Sequence, residues 1–390
     1  MSEHPSAPRL SAHLRQEERV TPLELFFDLV FVLAITQCTA LMAVHPSWSG
    51  IARGLLVLGV LWWSWGGYAW LTSVVDPEEG LVRLTIFGAM AGLLVAALCV
   101  PGAFGDDALL FAVAYGVVRV AHIALFTIAS RDDPALRHSV TGLAGSTAIG
   151  VALLAAAAGT DGWLQGALWG LALLLDVGGP FLFGADGWKL VPGHFAERHG
   201  LIVLIALGES LVAIGVGAGT VVDGGVVLTA IVGIVLAAGM WWLYFDVSSI
   251  GAEHRLREAA VGREQNELAR DAYSYLHFPM VAGIVLVALG LKKTLLYHAE
   301  TLGLVPTTAL VGGASLYLVA LIAFRFRVVR RPSRARSVCA IAILALIPLH
   351  SRIASLAIVS LLAGAFVVLV AYEVVRYSES RQRIRGAANG

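Results

Sequence analysis

Apolar residues occur along this chain in long runs that short polar segments separate. A run of about 17 to 25 apolar residues is long enough for an α-helix to cross a bilayer. The pattern predicts about twelve such helices, at Leu23–Val44, Gly54–Val75, Leu81–Val100, Ala108–Ala129, Ser139–Ala158, Gly162–Phe183, Gly200–Ala218, Val226–Phe245, Leu276–Leu291, Thr307–Phe324, Val338–His350 and Ile353–Tyr372. Only a short turn at 349–352 separates the last two runs, which could instead form one re-entrant hairpin. The sequence therefore predicts an all-α fold, a polytopic bundle of transmembrane helices.

The composition agrees with this pattern. Of 390 residues, 58% are hydrophobic and 14% are charged, and the mean hydropathy of +0.80 exceeds that of soluble domains. The net charge is zero, which gives no support to a nucleic-acid partner. The three cysteines lie in apolar runs, so no disulfide framework or thiolate metal site is expected. The expected partners are membrane lipids and an unknown small-molecule solute or lipid substrate, and homo-oligomerisation stays open.

The distribution of basic residues predicts the orientation of the helices. Loops that are translocated across the membrane disfavour lysine and arginine. Of the 27 such residues, 22 lie in the N-terminus, the even-numbered loops and the C-terminus, and four lie in the odd-numbered loops. Residues 1–19 lack the apolar segment and cleavage site of a signal peptide. We therefore expect a multi-pass protein of the cell membrane with both termini in the cytoplasm.

Three stretches in the second half of the chain resemble stretches in the first half. Residues 28–33 (DLVFVL) match 209–214 (ESLVAI), a Trp-Trp pair at 62–63 matches one at 241–242, and 87–98 resembles 278–289. These matches predict a duplicated unit of six helices, with both copies oriented the same way. The predicted division is a cytoplasmic tail 1–19, a first unit 20–190, a second unit 191–376 with a cytoplasmic connector 247–271 that contains a surface helix, and a tail 377–390.

The first predicted helix contains two carboxylates on one face, Glu24 and Asp28, because residues four apart are neighbours on a helix. A carboxylate at membrane depth costs roughly 2.5 kcal/mol or more, so each needs a partner or a task. Glu24 is expected near the cytoplasmic headgroups, where water solvates it and it guards an entrance. Asp28 lies one turn deeper, and the repeat pairs it with Glu209. The sequence therefore predicts Asp28 and Glu209 as a functional couple.

Arg119 is the one basic residue that the sequence places deep within a span. A buried guanidinium needs carboxylates or several carbonyl groups, and the acids available are Asp28, Asp176 and Glu209. If the helices alternate in direction, these acids fall in the cytoplasmic half and predict a polar cavity open to the cytoplasm. The candidate substrate or proton pathway comprises Glu24, Asp28, Arg119, His122, Asp176, Glu209 and His277. The alternative is a buried ion-pair network that only holds the helices together.

A polar segment at 193–200 (GHFAERHG) precedes the seventh predicted helix. Its side chains His194, Glu197, Arg198 and His199 are predicted to form an entrance loop. Together with Glu209 the two histidines could bind a metal, but no HExxH or equivalent spacing is present, so no metal site is predicted. The sequence identifies no cofactor.

Tryptophan and tyrosine residues are concentrated in the second and eighth predicted helices. Most are expected to pack between helices or to anchor them at the membrane interface. Trp62, Trp242 and Tyr244 are the candidates for lining a pocket for an apolar or cationic ligand.

Three motifs in this sequence resemble the bacterial low temperature requirement A (LtrA) family. They are 20–32 (VTPLELFFDLVFV), 197–200 (ERHG) leading to 206–210 (ALGES), and 242–245 (WLYF). The resemblance implies an integral membrane protein of a family named for a cold-growth phenotype, with no particular biochemical activity. The motif positions carried over by resemblance are Glu24, Asp28, Arg198, Glu209 and His277, whereas Arg119 and Asp176 rest on the physical argument alone.

Two functions fit these residues, and a third alternative, a non-catalytic sensor or scaffold, is disfavoured because the sequence contains no sizeable soluble domain. The first is a transporter or permease for a small solute, coupled to protons through the buried Asp, Glu and His side chains. The second is a membrane-embedded enzyme that acts on a lipid or isoprenoid substrate from a cytoplasm-facing pocket, with Asp28, Glu209 and His277 as acid and base groups. The sequence contains no nucleophile motif and no paired-acid metal motif that would favour the enzyme.

Overall fold

The computed structural model describes residues 19–182, 187–217 and 222–379. Within these ranges the chain is helical and contains no β-strand. The helices are α1 Pro22–Val44, α2 Trp48–Thr72, α3 Gly80–Cys99, α4 Ala108–Ala129, α5 Pro134–Ala157, α6 Gly162–Leu182, α7 Pro192–Gly217, α8 Gly224–Phe245, α9 Ser248–Glu258, α10 Arg263–Leu268, α11 His277–Leu296, α12 Leu304–Val329, α13 Arg334–Ile343 and α14 Ser355–Arg376. The predicted all-α bundle is confirmed. Most of both predicted tails lies outside the described residues.

Ten helical segments in the described part of the chain are long and apolar enough to cross a membrane. They correspond to α1–α6, α8, α11, α12 and α14. α7 is longer than most of them, at 26 residues. The chain is therefore a multi-pass membrane protein.

The eleventh predicted span is a 10-residue α-helix, α13, followed by a 3₁₀-helix at Leu344–Leu349. Arg336, near its start, binds Glu373 near the end of α14. At the opposite face, the Ser355 N–H at the start of α14 donates to the carbonyl of Glu300, in the loop between α11 and α12. Residues 334–349 thus run from one face of the bundle to the other, over about 27 Å at 1.5 and 2.0 Å per residue. This arrangement excludes a single re-entrant hairpin.

Large apolar side chains lie on both the exposed and the buried face of α1. Leu25, Phe26 and Leu29 are exposed, whereas Phe27 and Phe31 are buried. Because lipid chains are as apolar as leucine, hydrophobicity does not determine which face of such a helix turns inward. The two carboxylates of α1 are buried on the same face as Phe27 and Phe31.

α1 begins with a capping box. The Thr21 hydroxyl accepts from the backbone N–H of Glu24, and the Glu24 carboxylate accepts from the Thr21 N–H. Pro22 occupies the first turn, where its missing N–H costs nothing. The sequence Thr-Pro-Leu-Glu therefore fixes the position at which the helix starts and the direction of the Glu24 side chain.

α7 begins at Pro192 and includes the predicted entrance loop. His194, Glu197, Arg198 and His199 occupy its first two turns, so the prediction of a loop is wrong. The polarity of this segment suggested a solvated hinge. Three of its four polar side chains are instead buried and have protein partners or neighbours, and Glu197 alone is exposed. A helix can carry these residues because the bundle, not water, surrounds them.

The order of packing is similar in the two halves of the chain. α1 packs against α2 and α3, and α7 packs against α8 and α11; α3 packs against α4, and α11 against α12. α1 also contacts α7 and α11, which join the halves at the centre. The duplication stays a prediction.

The predicted connector contains two short helices instead of one. α9 and α10 are separated at Gly262, whose φ of 104° lies in the region that favours glycine. A π-helical segment, Ala269–Tyr275, then joins α10 directly to α11. The helical run that starts in the connector therefore continues into the membrane.

α11 and α12 cross at a pair of glycines. A Cβ atom on Gly283 would lie 2.6 Å from the carbonyl oxygen of Gly313, and one on Gly313 would lie 2.7 Å from that of Gly283. The two backbones can approach this closely only because neither residue has a side chain.

We expect Gly313→Ala to lower the stability of the protein by about 1 to 3 kcal/mol, since the added methyl group meets rigid backbone. Gly312→Ala is the matched control, because a Cβ there meets only a Thr308 methyl group at 3.7 Å. Thermal unfolding in detergent measures both variants. Equal midpoints for the two variants would contradict the close crossing.

Candidate functional site

Two groups of buried polar side chains lie in the helical bundle. The first, which we call the Arg198 cluster, consists of Glu24, Asp28, Trp65, Thr72, His194 and Arg198. The second, the Arg119 cluster, consists of Tyr115, Arg119, Thr147 and Asp176. Each contains one guanidinium that is 1% exposed.

Glu24 uses both carboxylate oxygens in the Arg198 cluster. Its Oε2 accepts from the N–H and the hydroxyl of Thr21, each at 2.9 Å. Its Oε1 lies 2.8 Å from Nε2 of His194 and accepts from Nη1 of Arg198 at 3.1 Å. The same carboxylate thus caps α1 and binds α7. Glu24 is 1% exposed, so the prediction that water solvates it at the headgroups is wrong.

The Arg198 guanidinium joins α7 to two other helices. Nη2 donates to Oδ1 of Asp28 on α1 at 2.7 Å, and Nη1 donates to the Thr72 hydroxyl on α2 at 3.2 Å. Trp65 donates from Nε1 to the same Asp28 oxygen at 2.8 Å. Asp28 is fully buried, and its Oδ2 has no hydrogen-bond partner among the described residues. Arg119 is therefore not the one basic side chain buried within a helix.

Asp28 and Glu209 do not contact each other. Asp28 binds Arg198, whereas Glu209 accepts a 2.5 Å hydrogen bond from the hydroxyl of Thr36. Thr36 lies eight residues beyond Asp28, about 12 Å further along α1. Glu209 is the eighteenth residue of α7, and it lies at a different depth from Asp28 because the early start of α7 brings Arg198 to that depth. The functional coupling of the two carboxylates stays a prediction.

Glu209 is 2% exposed. No ion pair involving it occurs within residues 19–182, 187–217 and 222–379. It is thus a buried carboxylate held by a neutral hydroxyl group.

The Arg119 cluster agrees in part with the sequence. Arg119 donates from Nη2 to Asp176 Oδ1 at 3.1 Å and to the Thr147 hydroxyl at 2.6 Å. Tyr115 donates to the other oxygen of Asp176 at 2.7 Å. Of the three acids that the sequence offered as partners for Arg119, Asp176 contacts it, whereas Asp28 and Glu209 do not. The Nε of Arg119 has no hydrogen-bond partner in the described part of the chain.

Two buried histidines lie between α7 and α11. His277 donates from Nδ1 to the Ala272 carbonyl at 3.0 Å, since a carbonyl can only accept, and its Nε2 accepts from the Tyr244 hydroxyl at 2.8 Å. The ring of His199 lies 5.2 Å from that of His277 and 5.1 Å from that of Trp65. The ring of His199 therefore lies between His277 and Trp65 of the Arg198 cluster. His277 does not contact Asp28 or Glu209.

A cavity of about 70 Å³ lies beside the two clusters, and we call it the tryptophan cavity. Its wall is mainly aromatic, and its polar groups include Arg119 and His122. The lining residues are Trp62, Trp63, Gly66, Gly67, Trp70, Arg119, His122, Leu143, Pro180, Trp188, Asn266, Arg270, Ser274 and Tyr275. Several of them lie near the ends of α2, α4 and α6 that face the connector, which is the side predicted to be cytoplasmic.

A second cleft, of about 370 Å³, lies between α7 and α9. Glu197 and Tyr244 line it, together with the charged groups of Arg19, Glu253 and Arg257. Of the three predicted pocket aromatics, Trp62 lines the tryptophan cavity and Tyr244 lines this cleft. Trp242 lines neither of these two and is 37% exposed on α8, so its place in a pocket stays a prediction.

No group of three or more metal-binding side chains occurs in the described ranges. His194 binds Glu24, His199 donates to the Phe195 carbonyl at 2.8 Å, and Glu209 binds Thr36. The three residues that a metal site would have required therefore have separate partners.

Sequence reasoning missed the neutral partners of the charges. Thr36, Thr72 and Thr147 each bind a charged group, and each stands in an otherwise apolar run. An isolated threonine in a span is a weak signal, because its hydroxyl usually bonds to its own helix, as that of Thr39 does to the Ile35 carbonyl. Arg270 was missed because it lies in the predicted connector, which was taken as a solvated surface, and Ser274 was missed because it lies just after that connector.

We expect Arg198→Met to destabilise the protein by about 3 to 5 kcal/mol, because it leaves two buried carboxylates without their guanidinium. Adding Glu24→Gln and Asp28→Asn should recover part of the loss. Arg257→Met is the control, since the exposed Arg257–Glu253 pair contributes about 0 to 1 kcal/mol. Unfolding in mixed micelles measures all variants. If Arg198→Met alone were as stable as Arg257→Met, that result would contradict a structural role for the Arg198 cluster.

Comparison with known proteins agrees with the motifs. The family model described as "Bacterial low temperature requirement A protein (LtrA)" matches residues 19–372. A protein of Rhizobium meliloti (strain 1021), described as uncharacterized protein RA0937, is 30% identical over 308 residues, which cover 76% of this chain and 74% of that protein. No solved structure matches the chain. Because the family match spans both buried clusters and nearly the whole chain, this protein belongs to the LtrA family of bacterial membrane proteins.

Proposed function

We propose that this protein transports a small solute across the membrane and that protons drive the transport. The observation that carries the proposal is the Arg198 cluster, in which one guanidinium on α7 is shared by Asp28 and Glu24 on α1 and Thr72 on α2. α1 and α2 belong to the first predicted unit and α7 to the second. In transporters built from two repeats, the contacts between them break and reform as the protein alternates its access.

His194 completes the hydrogen bonds of the Arg198 cluster. Its Nδ1 lies 3.2 Å from the Ser73 hydroxyl, which donates to the Ala69 carbonyl at 3.0 Å. Its Nε2 lies 2.8 Å from Oε1 of Glu24. Two carboxylates, Glu24 and Asp28, therefore share one guanidinium and one imidazole ring.

A proton on Asp28 would weaken the contact between α1 and α7. Asp28 Oδ2 has no hydrogen-bond partner in the described residues, and its protonation would remove a negative charge that holds α1 to α7. In a medium of low dielectric constant a guanidinium that loses one of its anions is costly, so protonation and the separation of the helices are coupled.

Glu209 offers a second position for a proton. It is a buried carboxylate that binds Thr36 on α1. Thr36 lies eight residues after Asp28, so Glu209 is about 12 Å further from the connector side than Asp28. Carboxylates at successive depths are typical of proton pathways in membrane transporters.

The alternative of a membrane-embedded enzyme has less support. An enzyme needs its acid and base groups beside the bound substrate. Asp28, Glu209 and His277 do not line the tryptophan cavity, and no carboxylate occurs among its fourteen lining residues. The carboxylates instead join helices, which favours a role in conformational change.

We expect the purified protein in proteoliposomes to move protons when a suitable solute is added, as measured with an internal pH-sensitive dye. The panel of solutes is pyruvate, glycine, ethanolamine and glycerol. Asp28→Asn should reduce the solute-dependent proton movement at least tenfold, since an amide cannot exchange a proton.

Asp223→Asn is the matched control for this experiment. Asp223 is exposed and caps α8 through the backbone N–H of Val226, a role that asparagine also fills. The control should therefore transport like the unchanged protein. Proton movement that is equal in all three proteins, or absent with every solute, would overturn the proposal.

A further inference from the structure

We infer that the tryptophan cavity binds a short monocarboxylate, with the carboxylate group at His122 and Arg119 and the carbon chain against the tryptophans. This inference names the solute class of the proposed transporter. Its physiological meaning rests on the proposed function, whereas the binding site itself does not.

The wall of the cavity contains a buried histidine, His122. The side chain lines the cavity and is 2% exposed. Neither ring nitrogen has a hydrogen-bond partner within the described residues. The ring packs between Tyr68 and Phe126, with centroid distances of 5.4 and 5.0 Å, and a Cβ on Gly67 would lie 2.8 Å from it. The imidazole is thus held between aromatic rings and close to the Gly67 backbone, and no hydrogen bond of normal geometry engages its nitrogens within the described residues.

Arg119 contributes a second unused polar atom. Its two Nη atoms are engaged by Asp176, Thr147 and the Trp63 carbonyl, but the Nε–H group has no partner in the described part of the chain. Buried polar groups without partners are uncommon and costly. A ligand oxygen in the cavity that accepts from Arg119 Nε and from His122 would satisfy both.

The charges around the cavity favour an anion. Its lining contains two guanidinium groups and no carboxylate. Asp176 neutralises Arg119, whereas Arg270 shares Asp271 with Arg327, so two positive charges meet one negative charge there. A cation held over the indole rings would lie close to these guanidinium groups, and the electrostatics therefore oppose it.

The rest of the wall determines the body of the ligand. Five large aromatic side chains line the cavity, namely Trp62, Trp63, Trp70, Trp188 and Tyr275. The cavity volume of about 70 Å³ is roughly half of the ~150 Å³ that accommodates benzene in a protein interior. The ligand is therefore a carboxylate with a short apolar chain, and an aromatic acid exceeds the space.

Gly66 provides a way to fill the cavity. It is buried and lines the cavity, and a Cβ at this position would meet no atom within 4 Å. The side chain of a leucine at this position would occupy the space of the ligand, and its Cβ atom would not displace any neighbouring side chain. Gly88 on α3 also has no atom within 4 Å of an added Cβ, but it faces outward, so Gly88→Leu is the matched control.

The test is equilibrium binding to the full-length protein in detergent, measured by tryptophan emission and by calorimetry. Propionate and pyruvate should bind, benzoate should bind at least tenfold more weakly, and propylamine should not bind. Gly66→Leu should reduce propionate affinity at least tenfold, whereas Gly88→Leu should leave it unchanged. His122→Leu should abolish binding, and His122→Asn, which keeps a donor and an acceptor, should retain part of it.

The inference is overturned if propionate and pyruvate fail to bind, if propylamine binds as well as propionate, or if Gly66→Leu binds like the unchanged protein. If Gly66→Leu does not fold, the ligand series and the His122 variants decide. Binding without proton movement in proteoliposomes would overturn the proposed transport but leave this site standing. Proton movement with another solute, without carboxylate binding, would overturn only the site.

Discussion

A guanidinium buried in an apolar medium is the constraint on which the centre of this protein depends. Arg198 has to be met by anions that are themselves out of reach of water. Glu24 and Asp28 meet it from α1, and Thr72 meets it from α2. This requirement fixes the rotation and the height of α7 relative to α1. Glu24 can serve here because the capping box already orients its carboxylate.

The two buried clusters differ in what they join. The Arg119 cluster connects α4, α5 and α6, all within the first half of the chain. The Arg198 cluster connects that half to α7. Under the proposed function, the first cluster would hold one half of the chain together, and the second lies where the two halves would separate. The tryptophan cavity touches the first cluster through Arg119 and approaches the second through Trp62, whose ring lies 5.0 Å from that of Trp65.

Prediction from sequence came nearest where few partners were available. Arg119 needed a buried acid, and one of the three that the sequence offered, Asp176, contacts it. It failed for Glu24, because a carboxylate next to a polar N-terminus looks solvated unless its partner is known. That partner, Arg198, stood in a segment whose polarity indicated a loop. The depth of Glu209 depends on the same segment, since the start of α7 sets the depth of every residue along it.

The sequence by itself determined the class of protein, the number and approximate positions of the apolar helices, the start of α1 and the family motifs, because these depend on local composition and spacing. The tertiary structure alone decided which polar groups meet. In a membrane the buried and exposed faces of a helix are equally apolar, so hydrophobic pattern does not specify how the helix is turned. Contacts such as Arg198 with Asp28, 170 residues apart, specify it instead. The tryptophan cavity, which needs helices from several parts of the chain, exists only after those contacts have formed.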